Sequence, residues 1–166
     1  MQATRFEIDQ SAASVVFAAS SSVHPIRSVG SVSGWIDAIL SGGVFAEDQE
    51  LGGHLEVPLN GLSSGNPLID REMKRRVDGG LDSVISARIE ETLRIEGNRA
   101  TITGTIDFLE VSTLVEGDVV ILPGPCLVGT GEFDVRWWGF EPPRLLMLRV
   151  DPIVTVEIDL PLVERP

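Results

Sequence analysis

The sequence predicts an all-β fold, an antiparallel barrel or sandwich, on three observations. Several stretches alternate apolar and polar residues with period two, the pattern of strands that bury one face. Glycine- or Asx-rich turns separate most of these stretches at short intervals. Only one stretch carries convincing helical spacing, so repeated β-α-β units are absent.

In chain order, Val32, Gly34, Ile36, Ala38 and Leu40 fall on one face, against Ser33, Trp35, Asp37, Ile39 and Ser41. Leu55, Val57 and Leu59 then oppose His54, Glu56 and Asn60. Ile89, Leu93 and Ile95 form the next inner series, which Glu91 interrupts in the manner of a β-bulge. A hairpin turn at Gly97-Asn98 leads to Ala100, Ile102, Gly104, Ile106 and Phe108 on one face. A second turn is expected around Glu116-Gly117-Asp118, followed by Val119 to Leu122. Leu127, Gly129, Gly131, Phe133, Val135 and Trp137 share the next face. Val154, Val156, Ile158, Leu160 and Leu162 share the last.

The single helix is expected over residues 67–77. Asn66 can cap it, and Pro67 suits a first helical position, where a missing N–H costs nothing. Ile69, Met73 and Val77 recur at helical spacing and would face the sheet. Asp70 with Lys74 and Glu72 with Arg76 are i,i+4 pairs, and Asp78-Gly79-Gly80 supplies a C-cap.

Composition narrows the function classes. The formal net charge of −12 disfavours nucleic acid and anionic membrane surfaces, both of which select basic proteins. No segment is long and apolar enough for stable membrane insertion, and the N-terminus shows no apolar leader. The plain expectation is one domain over residues 1–166, soluble and cytoplasmic. Cys126 is the only cysteine, which leaves no internal disulfide and no cysteine-based zinc cluster.

One motif invites a catalytic reading. Gly61-Leu62-Ser63-Ser64-Gly65 fits G-x-S-x-G, the nucleophile elbow of serine hydrolases. That elbow needs a histidine base placed after the serine, yet His24 and His54 both precede Ser63. Asn66-Pro67 also interrupts the direct strand-to-helix turn. Two histidines on separate stretches make no metal site, and a lone cysteine is more often a small buried hydrophobe. Gly129-Thr130-Gly131 is too short for a phosphate loop. The sequence therefore predicts no catalytic residues, no metal and no cofactor.

Several segments, in order, carry a resemblance. Phe6-Glu7-Ile8-Asp9 followed by Ser14-Val15-Val16-Phe17 is similar to the opening of the YceI-like family. Ser64-Gly65-Asn66-Pro67-Leu68-Ile69-Asp70 resembles its Thr-Gly-Asn-x-x-Arg-Asp turn, which leads into a short helix crossing the barrel. Gly80-Leu81-Asp82 stands where the family has Phe-Leu-Asp, and Val154-Thr155-Val156-Glu157-Ile158-Asp159-Leu160 looks like its closing strand. The resemblance implies an extended eight-stranded, antiparallel, lipocalin-like barrel that binds polyisoprenoids or fatty-acid-like lipids. The serine-glycine turn then serves to lead the helix, not to present a nucleophile.

On that reading the ligand would meet the inner faces: Phe17, Ile36, Leu40 and Leu59 from the first half, and Ile89, Leu93, Ile102, Ile106 and Phe108 from the central strands. Phe133, Trp137, Val156 and Ile158 would complete the lining, with Asp70 near a polar headgroup. Three departures stand out: Ile69 where the family has arginine, Val84-Ile85-Ser86 where it has Tyr-Pro, and Trp137-Trp138-Gly139-Phe140-Glu141-Pro142-Pro143 where it has Asp-Phe-Gly. Glycines at 34, 104, 129 and 131 fall on inward positions and leave room, although glycine also relieves strand curvature. Two readings stay open. One is a carrier whose partner is an apolar small molecule. The other is a ligand-free barrel with a packed interior, for which Trp35 and Trp138 on outer faces offer a homodimer or a basic-partner contact.

Overall fold

The computed structural model describes residues 2–76, 83–142, 144–145 and 148–165. The elements are β1 (Thr4–Ile8), β2 (Ser14–Ser21), β3 (Ile26–Gly30), β4 (Ser33–Ala38), β5 (Leu40–Ser41), β6 (Val44–Phe45) and β7 (Gly52–Pro58). Then come α1 (Pro67–Arg76), β8 (Val84–Glu96), β9 (Arg99–Phe108), β10 (Val111–Leu122), β11 (Cys126–Asp134), β12 (Arg144–Leu145) and β13 (Leu148–Glu164). Among the described residues, no helix is long and apolar enough to cross a membrane.

Strands β1, β4, β7, β8, β9, β10, β11 and β13 pair antiparallel in that order, and β13 returns to β1. The result is a closed eight-stranded barrel with one short helix. Closure satisfies the main-chain groups an open sheet would leave at its edges. Strand β13 spans 17 residues, and β11 runs along one flank of it. Its other flank meets β2 over Val150–Asp159 and β1 over Leu162–Glu164. Strand β3 hangs on β2 outside the ring, and Val29 and Ser63 tie it back through two reciprocal main-chain hydrogen bonds of 3.0 Å.

The barrel has two unlike ends. Around the Gly97-Asn98 turn, Phe6, Ile8, Ala38, Phe45, Ala100, Ile121 and Leu162 form one packed cluster with Leu160. The β5–β6 hairpin covers this end, where the Gln49 side chain bridges the main chain of Ile39 and Ala46 through three hydrogen bonds of 2.8 Å. We call it the floor. At the opposite end, near the β9–β10 turn, Leu59 and Phe140 pack with Leu62, Met73, Ile85, Phe108 and Val135. Helix α1 covers that end, which we call the cap.

The helix forms as its sequence implies. The Asn66 carboxamide oxygen accepts from the Leu68 and Ile69 N–H groups at 3.0 and 3.4 Å, a side-chain N-cap. Ile69 is buried and Met73 packs inward. Asp70 turns its carboxylate to Ser64, and Glu72 pairs with Arg75 at 3.3 Å. Val77, the Asp78-Gly79-Gly80 cap, the Gly80-Leu81-Asp82 segment and Pro143 lie outside the described residues.

Four expectations change. The turn lies at Leu109-Glu110 instead of 116–118, with both residues in the left-handed region at φ 52 and 63. That geometry suits a tight hairpin, but neither residue is a customary turn former, so nothing in the residue types marks the turn. Strand β8 does bulge, with register shifts between Ile89 and Glu91 and again between Thr92 and Arg94. The shifts put Thr92 and Ile95 inward and leave Leu93 47% exposed. Leu40 leaves the barrel wall for the β5–β6 hairpin. Finally, β11 ends at Asp134, and a 3-10 turn over Val135–Trp138 replaces the expected alternation. Trp137 is therefore 52% exposed and Trp138 buried, the reverse of the face each was expected to take.

Candidate functional site

The cap half of the barrel holds an apolar cavity of about 310 Å³. Its size comes from what the inward positions carry. Strand β2 contributes Val15, Phe17 and Ala19; strands β4 and β7 contribute Ile36, Leu55 and Val57. Strands β8 and β9 add Ile85, Ala87, Ile89, Ile102, Ile106 and Phe108, and β13 adds Val154, Val156 and Ile158. Helix α1 lays Ile69 and Met73 over the cavity, beside Leu59 and Leu62.

Aromatic rings build the upper wall. Phe108 and Phe140 stand 5.7 Å apart, and Phe133 meets Trp138 edge to face at 6.3 Å. Such tilted and edge-on geometries are those aromatic pairs prefer. The Trp138 indole N–H donates to the Ile106 carbonyl at 3.0 Å, so its one polar group is satisfied. The turn that delivers Trp138 is fixed by Asp134, whose carboxylate accepts from the Arg136 N–H at 2.9 Å and from its guanidinium at 2.7–3.2 Å. That guanidinium holds the Asp134 carboxyl below the usual range, while Asp134 raises Arg136.

Among the sequence-derived lining residues, Phe17, Ile36, Leu59, Ile89, Ile102, Ile106, Phe108, Phe133, Val156 and Ile158 meet at this cavity. Four do not. Leu40 packs at the floor, Leu93 points outward from the bulged strand, and Trp137 lies at the surface against Trp138. Asp70 holds the Ser64 N–H at 3.0 Å and the Ser64 hydroxyl at 2.7 Å, bracing the loop that enters α1. Its oxygens serve the loop, and it does not line the cavity.

Sequence reasoning missed Trp138, Phe140, Val115 and Gly117 as lining. A proline pair after Gly139-Phe140-Glu141 hinted that β11 does not continue, and strand-like alternation from Val111 to Val115 was readable had the turn been placed earlier. Gly34 lines no open space: at φ 140 a Cβ would come 1.9 Å from the His54 carbonyl oxygen, so close approach of β7 demands glycine there.

The residues that suggested chemistry are dispersed. His54 contacts Glu56 at 3.2 Å, His24 contacts the Pro25 carbonyl at 3.0 Å, and Ser63 is used in its main-chain bridge to Val29. Burial, followed by its hydrogen bond to Asp159 at 3.2 Å, pushes the Cys126 thiol up to about 11. Among the described residues, no group of three His, Cys, Asp or Glu could hold a metal ion. Trp35 does lie on an outer face, where Arg5 stacks 3.7 Å above its ring and reaches Asp37 through two hydrogen bonds of 2.7 and 2.8 Å.

No family model matches the sequence, and no curated protein matches it. Solved structures do. The chain is similar to BcnA of Burkholderia cenocepacia, with a TM-score of 0.74 and 10% identity over 94% of this chain and 99% of that one. It is also similar to a polyisoprenoid-binding domain of Saccharophagus degradans implicated in plant cell wall breakdown, with a TM-score of 0.67 and 16% identity over 97% and 98% of the two chains. The YceI protein of Campylobacter jejuni aligns with a TM-score of 0.57 and 12% identity over 81% of each chain. At such identities the likeness is one of architecture: the chain has the YceI-like barrel fold.

Proposed function

We propose that this protein binds or carries one long apolar molecule, a polyisoprenoid or a fatty-acid-like lipid, inside the cap half of its barrel and does no chemistry on it. The observation that carries this reading is the cavity itself. Tight packing is the rule in protein interiors, where voids larger than a water molecule are few, and about 310 Å³ reaches the range of small-molecule sites. Among the described residues, every buried side-chain nitrogen or oxygen already has a hydrogen-bond partner, so the wall asks nothing polar of the ligand's body. The polyisoprenoid-binding domain with the same architecture adds support. Dispersed histidines and a thiol held neutral support binding without catalysis.

Organic-solvent extraction of the purified protein, followed by mass spectrometry, tests the proposal. The expected result is a lipid-like molecule at close to one per chain, removable by solvent and restored on incubation with an apolar alcohol. A protein that carries none and takes up none would favour the ligand-free barrel instead.

A further inference from the structure

We propose that the α1 side of the cap docks on a bilayer with anionic headgroups. Leu68 and Val23 settle below the headgroups there, and the cations beside them meet the lipid phosphates. This contact is independent of the ligand-binding reading above.

Residue spacing makes α1 apolar inside and cationic outside. Ile69 and Met73 line the cavity, whereas Leu68, Arg71 and Arg75 recur at i, i+3 and i+7 on the outer face, with Lys74 beside them. Leu68 is 55% exposed. The two acids of the helix are spent within the protein: Asp70 on Ser64, and Glu72, 12% exposed, on Arg75. The β2–β3 turn reaches the same end and holds Val23 68% exposed. Its Ser22 N–H donates to the Arg149 carbonyl at 3.0 Å, and the Arg149 N–H donates back to the Ser22 hydroxyl at 2.9 Å. Strand β12 links this turn to the helix, because it pairs with Arg149 on β13 and contacts α1.

The cations on this side are unanswered. The chain has 25 acidic side chains for 13 basic ones, so a cation finds a partner easily. Elsewhere it does: Arg5, Arg88, Arg94, Arg136 and Arg165 each lie 2.6–3.3 Å from a carboxylate. Among the described side chains, the cations with no acid partner are Arg27, Arg71, Lys74, Arg99 and Arg149. All but Arg99 lie on α1, on β3 or beside the β2–β3 turn. Unpaired cations gathered on one side of an acidic protein point to an anion supplied from outside.

A bilayer is the anionic surface that also accepts Leu68 and Val23, since acyl chains lie just beneath its headgroups. The net charge of −12 orients this contact instead of barring it. Glu47, Asp48, Glu50 and Glu96 stand exposed around the floor, which an anionic surface turns away. Of the acids exposed at the cap, Glu141 and Asp151 act, after Asp134, to raise Arg136, and Glu110 lies at the β9–β10 turn. None of them pairs with an α1 cation.

The test is flotation at low salt with vesicles of phosphatidylcholine alone and of phosphatidylcholine mixed equally with phosphatidylglycerol. The parent should bind the mixed vesicles at least about tenfold better, and added salt should release it. Three variants locate the contact. Arg71→Gln with Lys74→Gln should weaken binding to mixed vesicles about 25-fold, at about fivefold per cation. Arg94→Gln with Arg99→Gln removes the same charge at the floor and should bind as the parent does. Leu68→Ser should weaken binding about fivefold through lost apolar burial. All these side chains are exposed, so the variants should melt with the parent. A parent that floats with neither vesicle, or with both equally, overturns the proposal. So does a floor pair as damaging as the α1 pair, or a Leu68→Ser variant that binds like the parent. A protein that floats yet yields no lipid on extraction upholds the docking face and sinks the carrier reading. A lipid-bearing protein that floats with no vesicle does the reverse.

Discussion

The two ends of this barrel are made from the same strands, yet one is filled and the other hollow. At the floor, β9, β10 and β13 place Ala100, Ile121 and Leu162 in one buried cluster, and none of the three lines the cavity. One or two turns of pleat further along, the same strands present Gly104, Gly117 and Val156 inward, and a cavity opens. The difference lies in side-chain volume at inward positions, not in topology. It divides the labour: the floor supplies cohesion, and the cap, roofed by α1, Trp138 and Phe140, supplies space.

That division makes testable statements, the largest at the floor. Ile121→Ala should cost about 2–5 kcal/mol, because the floor cannot collapse around the lost atoms. Ile106→Ala, facing the cavity, should cost clearly less, since its side chain already lacks neighbours on one side. Equal losses in chemical denaturation would show that the halves are packed alike. Enlarging residues reverses the logic. Ala100→Leu should overpack the floor and cost about 1–3 kcal/mol, whereas Ile106→Trp should be nearly neutral in melting temperature.

Asp70→Ala tests the loop brace at the cap. Losing the carboxylate that holds Ser64 should cost about 1 kcal/mol and leave ligand affinity within error. A large affinity loss at unchanged stability would restore Asp70 as a ligand contact. Smallest is Cys126. With its thiol pushed up to about 11 by burial and Asp159, it should stay protonated at neutral pH and alkylate far more slowly than a free thiol. Asp159→Asn should speed the reaction; a thiol that alkylates at free-cysteine rates in the parent would contradict the assignment.

Much of this was legible in the sequence. Period-two alternation marked most inner faces, and Asn66-Pro67 marked the helix start, because burial and capping act locally. What failed was the extrapolation of alternation through points where the chain changes geometry. The bulges in β8 turned Leu93 outward, and the 3-10 turn after Asp134 exchanged Trp137 for Trp138. Leu109-Glu110 makes its turn in left-handed conformations that neither side chain advertises. The cavity was the least legible feature. Glycines at 34 and 104 read as room in the sequence, and only the positions of β7 and β8 reveal that both accommodate main chain, the His54 and Arg88 carbonyl oxygens, instead of space.

The most direct test of the central claim joins ligand content to stability in one variant. Native mass spectrometry and thermal melting are compared for the parent and for Ile106→Trp, each incubated with hexahydrofarnesol. If the cap half is a ligand chamber, the parent retains one alcohol per chain, and Ile106→Trp retains little while the two ligand-free proteins melt alike. A parent that retains none, with an Ile106→Trp variant that melts well below it, would show that the cap half is packed and that the account is wrong.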